Sequence, residues 1–121
     1  MQLLEVKEIL DATVLYGEHL LATEVKAGCG SDLMSHVLAF VTADDALLLT
    51  GLVTPQVIYV ADAVNIKAIC FMNGKHPEQE ILELAREREM VLLSTECPTF
   101  TACGKLYQHG LSGCVTDECA N

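Results

Sequence analysis

Four times along the chain an apolar run halts at a small group of Gly, Ser, Thr, Asn or Pro, and a stretch with helical spacing starts directly after it. The groups are Gly28-Cys29-Gly30-Ser31-Asp32, Thr50-Gly51 with Thr54-Pro55, Asn73-Gly74 with Pro77, and Ser94-Thr95 with Pro98. Strand followed by helix, repeated at this spacing, leads to right-handed βαβ units with helices on both faces of the sheet. The expected fold is therefore α/β: a single three-layer α/β/α domain with a mostly parallel sheet of about five strands. Open sheets of this kind keep their ligands beyond the carboxyl ends of the strands. The four groups are thus expected to share one rim.

Composition agrees with that architecture and removes several function classes. The chain has 121 residues, of which 51% are hydrophobic but only 5% aromatic, with no Trp, so the core is built from Leu, Val, Ile and Ala. Such residues suit parallel strands covered on both faces, and a chain this long buries about two thirds of its unfolded surface without needing metal or disulfide staples. A formal net charge of -10 repels phosphate backbones and anionic bilayers, which argues against nucleic-acid and membrane partners. The apolar stretches, such as Ala46 to Leu49, are far shorter than the roughly 20 residues that cross a bilayer. Six cysteines without a secretory leader pattern are read as reduced thiols of a cytoplasmic protein.

Along the chain, Leu3 to Leu10 has the spacing of an amphipathic helix, and Thr13 to Tyr16 reads as a brief strand. Glu24 to Ala27 reads as extended, and a helix with Ser31 or Asp32 as its cap carries Met34, Val37, Leu38 and Val41. Ala46 to Thr50, Lys67 to Met72 and Met90 to Leu93 are the remaining strands. Between them, Thr54-Pro55 opens a helix reaching Asn65, and Pro77-Glu78 opens another whose inner stripe is Ile81, Leu82, Leu84 and Ala85. The last helix, Pro98 to His109, is expected to turn Phe100, Cys103, Leu106 and Tyr107 inward. This gives a domain over residues 1–110 and a Cys-containing tail over 111–121, expected at the surface.

At the rim, the candidate ligand-binding residues are Gly30, Ser31, Asp32, Ser35, Thr50, Gly51, Thr54, Asn73, Gly74, Ser94 and Thr95. Gly28 to Asp32 would offer backbone N–H groups at a helix start, or serve only as a tight turn and cap. It is not a P-loop, since no Lys follows the second Gly. Asp32 sets a negative charge where a phosphate would sit, so a neutral or cationic group is easier to accommodate there. The hydroxyls of Thr50, Ser94 and Thr95 and the amide of Asn73 would orient a small molecule.

The segment from Gly28 to Gly113 resembles the DRTGG domain, a family related in fold to the N-terminal domain of HPr kinase. The pieces that carry the resemblance are Ser31-Asp32-Leu33-Met34-Ser35-His36-Val37-Leu38-Ala39, Leu47-Leu48-Leu49-Thr50-Gly51, Gly74-Lys75-His76-Pro77-Glu78, Leu93-Ser94-Thr95 and Phe100-Thr101-Ala102-Cys103-Gly104-Lys105-Leu106-Tyr107. The resemblance implies a regulatory, non-catalytic module, such as those found beside CBS domains in regulated pyrophosphatases, with an adenine nucleotide or related small molecule as the ligand to expect. The chain departs from the signature at Leu52-Val53, where relatives carry Asp-Arg, and at Met72-Asn73-Gly74, where Thr-Gly-Gly is the pattern. Without that Arg a bidentate phosphate clamp is missing.

A second function class rests on thiols. Cys103, His109, Cys114 and Cys119 are the ligand types of zinc or an iron–sulfur cluster, though their spacing has no C-x2-C knuckle. The alternative is thus a thiol- or metal-dependent interaction protein of an anaerobic, hydrogenase-associated redox pathway, with Cys114–Cys119 oxidation as the plainer outcome. Cys29 with His36, or Cys97 with His109, forms no family-specific nucleophile–base signature, so no enzyme activity, catalytic residue, cofactor or resident metal is assigned. A homo-oligomer, in the simplest case a dimer, follows from family habit and a mean hydropathy of +0.36.

Overall fold

In a computed structural model that describes residues 1–41 and 44–114, the buried runs form one sheet. Its strands are β1 (Thr13–Tyr16), β2 (Ala27–Gly30), β3 (Ala46–Thr50), β4 (Ile66–Phe71), β5 (Val91–Ser94) and β6 (Ser112–Gly113). Their order is β1-β5-β4-β3-β2-β6, and every pairing is parallel except β1 with β5. The sheet therefore has six strands rather than about five. The sixth comes from the segment expected to be a surface tail: Leu111 and Cys114 are 6% and 4% exposed, and β6 lies on the free edge of β2. Residues 115–121 lie outside the described residues.

Five helices cover the two faces: α1 (Leu3–Leu10), α2 (Met34–Phe40), α3 (Pro55–Ala63), α4 (Gln79–Glu87) and α5 (Thr99–Gln108). Alternation along the strands sorts the core into two layers. Leu47, Leu49, Ala68, Cys70, Val91 and Leu93 face α1 and α5, whereas Leu48, Ile69, Phe71 and Leu92 face α2, α3 and α4. Strands buried on both sides explain why the sequence shows unbroken apolar runs there instead of a period of two.

Local chemistry sets the ends of the elements. Glu5 reaches back to accept from the Gln2 N–H at 3.2 Å at the start of α1, and Asp11 ends that helix in the left-handed region at φ 49°. Pro55 opens α3 as its composition predicts, since its missing N–H needs no partner there. Two caps differ from expectation. Neither Ser31 nor Asp32 caps α2, whose N-cap is Leu33, and Thr54 precedes α3 without a capping bond from its side chain. On α5 the buried face is Ala102 and Leu106, with Cys103 half-buried; Phe100 and Tyr107 are 91% and 74% exposed rather than inward.

Candidate functional site

Because β2, β3, β4 and β5 run parallel, the loops after them leave the sheet on the same edge. Backbone bonds continue the ladders past the strand ends and hold these loops together: Ser31 N–H donates to Leu49 O at 3.1 Å, Met72 N–H to Thr50 O at 3.0 Å, and Thr95 N–H to Phe71 O at 2.9 Å. Ten of the eleven residues predicted from sequence stand on this edge or in the loops that leave it, and Ser35 lies in the first turn of α2. Side-chain bonds divide them into two clusters.

The first cluster surrounds Asp32. Its Oδ1 accepts from the Thr50 hydroxyl at 2.9 Å and from the Gly51 N–H at 2.7 Å, while Thr50 Oγ1 accepts from the Leu52 N–H at 3.1 Å. Asp32 thus braces the β3–α3 loop across the sheet instead of capping its own helix. Ser31 Oγ accepts from the Leu33 N–H at 3.1 Å, a local turn that replaces the expected cap. The Thr54 hydroxyl oxygen is shut off from solvent and has no hydrogen-bond partner among the described residues. Ser35 is exposed on α2.

The second cluster joins the β4–α4 and β5–α5 loops. Asn73 and Gly74 both have left-handed backbone, φ 59° and 69°, and Lys75 N–H closes the turn onto Met72 O at 3.2 Å. Gly74 also passes so close to Glu96 that a Cβ there would stand 2.5 Å from a carboxylate oxygen. Two positive φ angles in succession are why Asn-Gly occupies this position. Asn73 N–H donates to Cys97 O at 3.0 Å and Gly74 N–H to Thr95 O at 2.8 Å, which ties the turn to the next loop.

The hydroxyls in this cluster serve the fold. Ser94 Oγ donates to Lys75 O at 2.8 Å, and Thr95 Oγ1 donates to Leu10 O at 2.7 Å and accepts from Cys97 N–H at 3.2 Å. Thr50, Ser94 and Thr95 are 0%, 4% and 2% exposed, so the surface a ligand would meet consists of Gly30, Ser31, Asp32, Ser35, Gly51, Asn73 and Gly74, with Thr54 half-buried and its hydroxyl closed off. Sequence reasoning missed Lys75, whose carbonyl receives Ser94, and the Leu10 carbonyl. A backbone acceptor so distant in the chain leaves no residue-type signal.

The Gly28-Cys29-Gly30 group differs most from its sequence reading. It is strand, not turn: β2 pairs with β3 on one side and β6 on the other, so these N–H groups are not gathered toward an anion. The glycines serve close approach instead. A Cβ on Gly30 would lie 2.8 Å from Cys103 Sγ, and one on Gly28 would lie 3.1 Å from Leu111 Cδ2. Beside them a cavity of about 160 Å3 is lined by Gly28, Gly30, Cys103, Tyr107, Leu111 and Gly113.

The thiol-based candidates separate in space. Cys114 packs in the core layer of α2, α3 and α4, Cys103 in that of α1 and α5, and His109 Nδ1 pairs with Lys105 O at 2.7 Å. Among the described residues no three His, Cys, Asp or Glu side chains are placed to hold one metal ion. Cys119 lies outside the described residues. Burial, with a smaller contribution from Cys97, pushes the Cys70 thiol up to about 12, so Cys70 behaves as a small apolar core residue.

A mostly parallel sheet covered by helices on both faces, with four loops leaving the carboxyl ends of β2 to β5, defines a three-layer α/β domain. The DRTGG domain model matches residues 5–109, and the chain belongs to the DRTGG domain family. Among solved structures, the fold is similar to the CBS and DRTGG domains of the regulatory region of Clostridium perfringens pyrophosphatase, which was crystallised in complex with its activator, diadenosine tetraphosphate. The match has a TM-score of 0.69 at 17% identity and covers 95% of this chain and 50% of that one. The chain therefore spans about half the length of that regulatory region. No curated protein matches it. Among the described residues, no helix is long and apolar enough to cross a membrane.

Proposed function

We propose that this chain is a non-catalytic regulatory domain that binds a small molecule, with an adenine nucleotide as its first candidate, at the edge formed by the β2–α2, β3–α3, β4–α4 and β5–α5 loops. The observation that carries this reading is the edge of the sheet that Asp32 and the Asn73-Gly74 turn share through the parallel strands β2, β3 and β4. Family membership and the regulatory setting of the pyrophosphatase neighbour support it.

The charges on this edge suggest an orientation. Asp32 repels phosphate but accepts well from hydroxyl or amine donors, so the ribose or the adenine amine would lie at the β2–β3 end. Phosphates would lie toward Lys75 and His76, both exposed in the β4–α4 loop. In this reading the domain occurs as a homodimer in the cytoplasm and responds to its ligand without transforming it.

Thermal unfolding with adenosine, AMP, ATP and diadenosine tetraphosphate tests the proposal, because a ligand that binds only the folded state raises Tm by mass action. The expected result is a dose-dependent rise with at least one of the four. Unchanged Tm with all four at millimolar concentration overturns the nucleotide reading.

A further inference from the structure

Cys29 and Cys114 are far apart in sequence and adjacent in the fold. The register of β2 and β6 places Ala27 opposite Ser112 and Gly28 opposite Gly113, and Cys114 N–H extends the pairing by donating to Gly28 O at 3.1 Å. Side chains alternate along a strand, so the next residue of each strand, Cys29 and Cys114, falls on one face of the sheet. Both sit in the same core layer, 6% and 4% exposed, close enough that each thiol shifts the other's proton affinity.

We propose that Cys29 and Cys114 are a dithiol–disulfide pair that, on reaction with a hydroperoxide, covalently fastens the β6 edge to β2. Cys114 is the attacking sulfur, because it follows the two-residue β6 at the sheet edge, whereas Cys29 lies within β2 between β3 and β6. Contact with the Cys29 thiol holds its proton affinity below that of an ordinary thiol, whereas the same contact and burial push Cys29 up. The Cys114 thiolate attacks the outer peroxide oxygen, the O–O bond breaks, and the departing alkoxide takes a proton to leave as an alcohol. The Cys114 sulfenic acid is then attacked by Cys29, which gives up its thiol proton; the S–O bond breaks and hydroxide leaves with that proton as water. Two thiols are oxidised by two electrons and one hydroperoxide is reduced.

The edge position supplies access. β6 is two residues long with Ser112 and Gly113 exposed, so local opening of this edge admits a small oxidant to sulfurs that are buried when it is closed. Once joined, the segment that lines the cavity through Leu111 and Gly113 is tied to β2. The crosslink also closes most of the chain into one loop, which constrains the unfolded state.

The test treats the full 121-residue chain with hydrogen peroxide under native conditions, blocks remaining thiols, and maps linked peptides by mass spectrometry without reduction. A Cys29–Cys114 linked peptide is expected, with Tm raised on the order of 10 °C and restored by dithiothreitol. The Cys119→Ser variant is expected to form the same link. Complete alkylation of all cysteines after peroxide, or a linkage that uses Cys103 or Cys119 in place of either partner, overturns the proposal.

Discussion

At the scale of single residues, Asp32 shows how one side chain serves both structure and site. It is exposed, yet one carboxylate oxygen accepts from Thr50 and Gly51 and so fixes the position of the β3–α3 loop. Charge-assisted bonds of this kind contribute about 1.5–3 kcal/mol where they are buried and less in solvent. Asp32→Ala is therefore expected to cost about 1–2 kcal/mol, and Asp32→Asn, which keeps an acceptor, less than half of that. Urea unfolding checks the order; equal losses for the two variants would show that the charge rather than the acceptor braces the loop. Cys70 gives a pH prediction. Its folded-state pKa, about 12 against 9.0 for an ordinary thiol, means that its contribution is intact below about pH 9 and is lost as pH rises toward 12. The slope approaches about 1.4 kcal/mol per pH unit for one titrating group. Cys70→Ala is expected to flatten the decline of stability between pH 9 and 11, and curves that remain parallel to wild type would refute the assignment.

At the scale of elements, the close passage of α5 over β2 is what the glycines make possible. Gly30→Ala sets a methyl 2.8 Å from Cys103 Sγ at an unstrained backbone position, so its cost is steric. Overpacking of this size costs about 1–3 kcal/mol. Cys103→Ala removes the obstruction, and the double variant is expected to be more stable than Gly30→Ala alone, a non-additivity that a double-mutant cycle measures. Additive effects would mean that α5 does not press on β2 at this point. The same packing explains where the sequence was readable. Ala46 to Thr50, and the strands ending near Met72 and Leu93, were legible to within a residue because burial on both faces writes an unbroken apolar run. Gly28-Cys29-Gly30 was read as a turn because glycine is more often punctuation than strand, and nothing local reveals a helix crowding the backbone. On α5 the aromatic residues drew the inner face toward Phe100 and Tyr107, whereas a tightly docked helix needs small residues such as Ala102 at its contact. β6 has two residues and no apolar pattern; its place depends on β2, which only the fold supplies. The shared edge of the site was legible because parallel topology alone dictates it, while the commitment of Thr50, Ser94 and Thr95 to internal bonds was not, since residue type does not say where a hydroxyl proton goes.

At the scale of the whole molecule, the balance between apolar surface and charge decides the proposed self-association. Helix α2 and the turn before it leave Leu33, Leu38 and Phe40 at 63%, 51% and 50% exposure, and α5 exposes Phe100 at 91% and Tyr107 at 74%. Large apolar side chains grouped on one helix mark interaction surfaces more often than scattered ones do. Opposing association is the formal charge of -10 on each chain, a repulsion that salt screens over a Debye length of about 10 Å at 0.1 M. Two consequences distinguish an apolar dimer from an electrostatic one. Light scattering should give twice the mass of one chain, with dissociation favoured at low rather than high ionic strength. Phe40→Glu should raise the dimer dissociation constant at least tenfold if α2 forms the contact, and Phe100→Glu should do so if α5 forms it, because each adds a like charge and removes apolar area. A single-chain mass at all salt concentrations above the micromolar range would exclude the dimer.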